Sequence, residues 1–316
     1  MAEPILSSDQ IISAAAKLSS GDKRKMVAVA AAQDADVIGA LSSAEAEGIL
    51  DATLFGDETL IRKMAAEGNF DISRLRIVHN PDVKAATVDA VRMAADGKAD
   101  VIMKGFVSTS ALLKTVLAKD FDLRTKNTLS HVAVLDIPGY HKLLAMTDGG
   151  MVVKPDLEQK FQILENAVLV AQALGLSPVR VAISGTTNKF CADDPTSIEC
   201  QRVIDKVLAS GMKDIKIEGP LTLDAATSKE IAARKGLAGP VVGEADIYLM
   251  HTIEECNIVA KSLINFADAV FAGVIVGAKV PVSLVSRTDT VKNKKASVSL
   301  ACLIAEYYRQ TAGGGR

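Results

Sequence analysis

The segment Val280-Pro-Val-Ser-Leu-Val-Ser-Arg-Thr-Asp-Thr-Val-Lys-Asn-Lys-Lys-Ala-Ser297 holds the densest set of side chains that could do chemistry. An apolar run reads as a buried strand that delivers Ser286 and Arg287 to its carboxyl end. Arg287 offers a planar fork suited to phosphate, and Ser286 can donate a hydrogen bond. Asp289 follows as a carboxylate. Lys292, Lys294 and Lys295 then enter a helix at its N-terminus, where positive charge opposes the helix dipole. A bound anion at this end would offset that penalty.

Three weaker clusters lie at other strand ends, where open α/β sheets place their ligands. In Met103-Lys-Gly-Phe-Val-Ser-Thr-Ser110, Gly105 permits a turn, and Ser108 and Thr109 stand where a helix N-cap belongs. Lys104 with that helix start suits an anion, although ordinary capping accounts for the same residues. In Thr147-Asp-Gly-Gly-Met151, Asp148 and two glycines form a tight turn that lets backbone approach a ligand, or a plain loop. In Gly219-Pro-Leu-Thr-Leu-Asp-Ala-Ala226, Asp224 begins a helix that carries Ala225, Ala226, Ile231, Ala232 and Ala233, and capping alone accounts for its type. Further on, Asn257 and Lys261 lie four apart on one helical face.

Whole classes of chemistry are excluded by what the chain does not contain. It has no GxxxxGK[ST] loop, no GxGxxG after the first strand and no GxSxG elbow. His79, His131, His141 and His251 show no HExxH spacing and read as surface or hydrogen-bonded residues, so no metal site is expected. The four cysteines are dispersed, which fits reduced, mostly buried thiols. A net charge of −2, no tryptophan and 4% aromatics give no basis for binding nucleic acid or an anionic membrane. The start carries no basic-then-apolar leader pattern, so a cytoplasmic protein is expected.

The elements that must position these residues follow from periodicity. Short apolar runs at Met26–Ala32, Ala52–Phe55, Leu75–Val78 and Asp100–Met103 alternate with amphipathic stretches around Ala35–Ile49, Glu58–Ala66, Val83–Ala95 and Thr109–Lys119. This rhythm predicts a parallel sheet with crossover helices. His131–Leu135 and Leu143–Met146, joined through Pro138-Gly139, predict a hairpin that interrupts it. The alternation resumes with strands at Arg180–Ile183, Ile215–Ile217, Ala245–Met250 and Val270–Val276, and a last helix spans about Asn293 to Arg309. No linker separates two halves, which suggests that the chain crosses between domains more than once.

Taken in order, these stretches resemble the phosphate acetyltransferase and phosphate butyryltransferase family from about Met26 to Ala305. The resemblance rests on Lys104-Gly-Phe-Val-Ser-Thr-Ser with Leu112-Leu-Lys114, Leu129-Ser-His-Val-Ala, Thr147-Asp-Gly-Gly with Lys154-Pro-Asp-Leu-Glu-Gln-Lys160, Gly219-Pro-Leu-Thr-Leu-Asp-Ala-Ala, Ala233-Arg-Lys-Gly, Gly243-Glu-Ala-Asp-Ile, Cys256-Asn-Ile-Val-Ala-Lys and Val285-Ser-Arg. Leu123-Arg-Thr and Tyr140-His-Lys-Leu-Leu look closer to the butyryl branch. The resemblance implies an α/β chain of two αβα domains with a cleft between them, similar to the isocitrate/isopropylmalate dehydrogenase-like architecture. It implies acyl-CoA plus phosphate giving acyl phosphate plus CoA, with acetyl-CoA or butyryl-CoA as substrate. It also implies a homodimer, no metal and no tightly bound cofactor, coenzyme A being a substrate.

On this resemblance Ser286, Arg287 and Asp289 are catalytic. Lys104, Ser108, Thr109, Lys114, Asp148, Asp224, Asn257, Lys261 and Lys292 bind CoA, acyl group or phosphate. Two departures stand out: Asn293 replaces the aspartate of the acetyl branch proposed as base, and Lys114 replaces an arginine. The hairpin near Pro138 suggests a discontinuous first domain, 1–128 plus 277–316, and a second of 129–276. The alternatives are a non-catalytic acyl-CoA-binding relative, given Asn293, and a metal-dependent decarboxylating dehydrogenase on the same architecture. The second would need spaced acidic residues where Thr290–Ala296 offers lysines.

Overall fold

The computed structural model describes residues 3–18, 24–286 and 288–311. The chain forms two compact units, one comprising Ser8–Asn127 with the chain from Ala272 onward, the other Thr128–Phe271 with the segment preceding Ser8. That leading segment therefore belongs with the second unit, whereas the sequence reading puts it in the first.

The first unit opens with α1 (Ser8–Leu18), a helix absent from the sequence reading, followed by β1 (Lys25–Ala30), α2 (Ala35–Ala46), β2 (Leu50–Gly56), α3 (Glu58–Glu67), β3 (Arg76–His79), α4 (Val83–Ala95), β4 (Val101–Lys104) and α5 (Thr109–Val116). Each helix from α2 to α5 starts at a side-chain cap: Asp34, Asp57, Asp82 and Ser108 accept from backbone N–H groups of the first turn. The second unit contains β5 (Ser130–Asp136), β6 (Leu144–Thr147), α6 (Leu157–Ala173), β7 (Val179–Ser184), α7 (Pro195–Ser210), β8 (Ile215–Leu221), α8 (Leu223–Thr227), α9 (Lys229–Arg234), β9 (Ile247–Leu249) and α10 (Ile253–Phe266). The chain returns through β10 (Val270–Val276) and ends with β11 (Val282–Ser283) and α11 (Val291–Thr311).

Strands of the first unit lie in the order β3-β2-β1-β4-β11-β10, and those of the second in the order β5-β6-β9-β7-β8. Pairing is parallel except β10 with β11 and β5 with β6. The expected hairpin is thus present as β5–β6. Strands β1 and β4 are buried on both faces, which is why they read as apolar runs without alternation.

The lysines of α11 do not await an external anion. Lys294 is 0% exposed and reaches Asp34 at 3.3 Å and Asp36 at 3.2 Å, while Lys295 pairs with Glu47 and donates to Ser43. Carboxylates of α2 and its cap thus offset the charge that the sequence reading assigned to a ligand. Lys292, a predicted binding residue, stands in an exposed 3.6 Å pair with Asp9 of α1.

A buried pair fixes the register of the second unit. Lys142 Nζ donates to Asp246 Oδ1 at 2.5 Å and to Glu244 O at 2.7 Å, and the second Asp246 oxygen accepts from Arg180 N at 2.7 Å. Both side chains are buried. The pair ties the starts of β6, β9 and β7 together, and so sets where those three strands end.

Candidate active site

Parallel strands β1, β4 and β11 leave the first unit's sheet at one edge, with Ala30 opposite Lys104 and Ser283 opposite Met103. Lys104-Gly105-Phe106 and Leu284-Val285-Ser286 therefore emerge side by side. Gly105 is required there, because a Cβ would collide with the carbonyl oxygens of Ala31 and Ala30. Lys104 is buried and its ammonium donates to Gly105 O at 3.2 Å. Ser108 caps α5 by accepting from Ala111 N at 3.2 Å, and Thr109 is that helix's first residue. Lys114 lies in the last turn of α5, at the opposite end from that cap, where its charge complements the dipole.

Ser286 is exposed, and its hydroxyl meets Thr288 Oγ1 at 3.1 Å. Asp289 is buried and its Oδ2 accepts from Ser286 N at 2.5 Å. The carboxylate closes a turn that holds the serine outward. Arg287 lies outside the described residues. Asn293 is buried, its backbone N–H held by Thr290 Oγ1 at 3.2 Å.

In the second unit, β6, β9, β7 and β8 likewise end on one edge. Asp148 follows β6 and is buried, its carboxylate taken up by backbone: Oδ1 accepts from His131 N, Gly150 N and Met151 N, and Oδ2 from Val152 N. Burial nevertheless outweighs these four donors and raises its pKa. Asp148 thus builds the turn and has little capacity left for a ligand. The two glycines after it admit neighbours of the same unit: a Cβ at Gly149 would press on Cys256 Sγ, and one at Gly150 on the His131 ring. Asn257 supports the turn by donating to Gly149 O at 3.1 Å. Lys261, one helical turn on, is exposed, and its ammonium makes no hydrogen bond or ion pair among the described residues.

Asp224 is linked to Lys235 at 2.7 Å and to the Thr222 hydroxyl at 2.5 Å, and these bonds hold its carboxyl down to about 2. Asn188, in the loop after β7, joins this group: its Oδ1 accepts from Thr222 N at 2.8 Å. His251 follows β9; its Nε2 donates to Ser184 O at 2.7 Å, and its Nδ1 lies 3.0 Å from Glu199 and 3.3 Å from the buried ammonium of Lys160. Lys160 also pairs with Glu199.

Residues 79–302 match the family model described as phosphate acetyl/butaryl transferase. The chain belongs to this family. It is 40% identical over 287 residues to the phosphate butyryltransferase of Clostridium acetobutylicum, a match covering 89% of this chain and 93% of that one. To the phosphate acetyltransferase of Thermotoga maritima it is 36% identical, over 90% of this chain and 96% of the other. Among solved structures it is similar to a branched-chain phosphotransacylase from Enterococcus faecalis V583, with a TM-score of 0.79 and 32% identity over 89% of this chain and 99% of that one.

Within this phosphate acyltransferase chain, Asn188, Lys235 and the Lys160–Glu199–His251 group were not legible as a set. They come from five separate elements or loops, and no short spacing links them. Two of them carry a signal, Lys160 as the last residue of the Lys-Pro-Asp-Leu-Glu-Gln-Lys stretch and Lys235 within Ala233-Arg-Lys-Gly. Three of the four cysteines are buried as expected, Cys191 being exposed. No helix among the described residues is long and apolar enough to cross a membrane.

His131 is the histidine that departs from expectation. It is buried at the start of β5, and neither ring nitrogen has a partner among the described residues. Burial lowers its pKa from 6.5 to about 4. The unfolded chain therefore takes up a proton that the folded one refuses. The resulting stability is complete above pH 6.5 and is lost as pH falls toward 4, by at most about 3 kcal/mol. Asp148, with its raised pKa, works in the opposite direction. Urea titrations from pH 7 to 4.5 are expected to show a shallower acid loss in His131→Leu than in the wild type. Parallel curves would contradict this.

Proposed function

We propose that this chain transfers a short acyl group between coenzyme A and inorganic phosphate. The observation that carries the reading is the emergence of Ser286 and Lys104 from neighbouring parallel strands, in a chain of this family. Phosphate held by Arg287 attacks the thioester carbonyl, the Ser286 hydroxyl donates to the developing oxyanion, and the C–S bond breaks. Asp289 takes up the proton that the attacking phosphate gives up as acyl phosphate forms and passes it to the departing CoA thiolate, and in the reverse direction it takes the proton from the thiol and returns it to phosphate. Lys104, Thr109 and Lys261 are read as contacts for phosphate or CoA. Acetyl-CoA and butyryl-CoA are the proposed substrates, and coenzyme A enters as a substrate with no tightly bound cofactor beside it.

The same reading includes a cytoplasmic homodimer and the isocitrate dehydrogenase-like arrangement of αβα domains. Light scattering is expected to give twice the 33.2 kDa chain mass; a monomer at working concentration would sink the dimer. The function itself is tested by thiol release from acetyl-, butyryl- and isobutyryl-CoA with and without phosphate. Release that depends on phosphate supports acyl transfer. Binding of the esters without turnover would favour the non-catalytic relative.

A further inference from the structure

Strands β7 and β8 are parallel neighbours whose connections run in opposite directions along the sheet of the second unit. From β7 the chain moves outward to β8 through α7, and from β8 it moves back inward to β9 through α8 and α9. Right-handed crossovers place these connections on opposite faces, which opens a crevice outside the carboxyl ends of β7 and β8. The loop 185–194 forms one wall and is tied at both ends. At its base, His251 Nε2 donates to Ser184 O at 2.7 Å and Gly185 N to Leu221 O at 3.1 Å. A Cβ on Gly185 would strike Pro220, so the loops after β7 and β8 touch there. At its far end Cys191 N donates to Ser197 Oγ at 2.9 Å. Asn188 bridges from this loop to Thr222, whose backbone N–H it accepts at 2.8 Å. A backbone N–H only donates, so the atom facing it is the amide oxygen, and the orientation of the amide follows. Asn188 Nδ2 donates to nothing among the described residues.

We infer that Asn188 is a further substrate-binding residue whose Nδ2 donates to an amide carbonyl of the pantetheine arm of coenzyme A, an inference that rests on the acyl-transfer reading above. Coenzyme A offers phosphate oxygens, the polar atoms of its nucleotide and the amide carbonyls of that arm. Phosphate calls for a cation. The ammonium tied into this group, Lys235, is already committed to Asp224 at 2.7 Å, and the Asp224 charge repels an anion. The Thr222 hydroxyl has one proton, which goes to Asp224 at 2.5 Å. What the group presents is therefore a neutral amide donor with its own oxygen engaged, and a neutral carbonyl matches it. A side chain held on so tied a loop donates without first having to be ordered.

The test compares the wild type with Asn188→Asp, which keeps an oxygen for Thr222 N but loses the Nδ2 donor, and with Asn188→Ala, which loses both. At saturating phosphate, kcat/KM is measured for acetyl-CoA and for S-acetylpantetheine, which keeps the amides and lacks every phosphate. Where S-acetylpantetheine is not turned over, its inhibition of the acetyl-CoA reaction is read instead. Both variants are expected to lose about five- to tenfold toward either thioester, the effect of one neutral hydrogen bond. Turnover of acetyl-CoA should stay within about twofold, because the arm is held alike in ground and transition states. Wild-type efficiency of Asn188→Asp toward S-acetylpantetheine would reduce Asn188 to a holder of Thr222 and overturn the inference. So would a loss confined to acetyl-CoA, which would place the contact on the nucleotide phosphates. Thermal melts check folding; a variant that melts lower is set aside and the other decides. Should the wild type show no phosphate-dependent turnover, the acyl-transfer reading fails, and calorimetry with free CoA and pantetheine judges Asn188 separately. Weaker binding of both in Asn188→Asp supports the contact, and unchanged binding removes it.

Discussion

Ser286→Ala is expected to lower turnover by about 10²–10³-fold while leaving the KM for acyl-CoA within about twofold. The serine is exposed at the end of β11, and its backbone N–H is clamped by Asp289 at 2.5 Å. Its hydroxyl is therefore presented without rearrangement to a charge that develops only in the transition state. Loss of one such donor lowers the rate more than the affinity. Arg287→Lys should act differently, raising the phosphate KM and lowering efficiency by about 10²-fold, since charge is kept but the planar fork is lost. Asp289→Asn discriminates between two tasks. The amide oxygen can still accept from Ser286 N, so a residue that only closes the turn tolerates the change. A residue that moves the thiol proton does not, and its loss removes the matching limb of the pH–rate profile. Near-normal turnover in Asp289→Asn would assign proton transfer to another group or to solvent.

The largest effect on stability is expected at Lys142. Removing its ammonium by Lys142→Met leaves Asp246 buried with a single backbone donor from Arg180. Breaking a buried pair from one side costs about 3–5 kcal/mol, because an uncompensated charge stays behind. Replacing both partners, in Lys142→Met with Asp246→Leu, should recover most of that loss. Urea midpoints at constant slope measure both variants. A single variant as stable as the wild type would show that Asp246 rehydrates, and that the pair does not set the strand register.

The alternating architecture was readable because both-face burial leaves unbroken apolar runs and because aspartate and serine caps punctuate the helices. Val83–Ala95 and Val270–Val276 coincide with their elements to the residue. Helix α7 does not stand out by periodicity. Its stretch from Pro195 to Ser210 is polar enough to pass for a loop, and its Asp194 cap and first-turn Pro195 were the available signals. The site was legible residue by residue but less so role by role. Capping explains Ser108, turn closure explains Asp148, and a helix end explains Lys114. Residue type alone could not separate a side chain committed to its own backbone from one open to a ligand. The lysines of α11 make the same point, since their carboxylate partners lie some 250 residues earlier in the chain.

The central claim, that the acyl group passes to phosphate, is tested most directly by trapping the product with hydroxylamine while CoA release is followed. The account predicts one acyl hydroxamate per CoA released when phosphate is present, and neither product above background when it is absent. CoA release at the same rate without phosphate, with free acid in place of acyl phosphate, would contradict it.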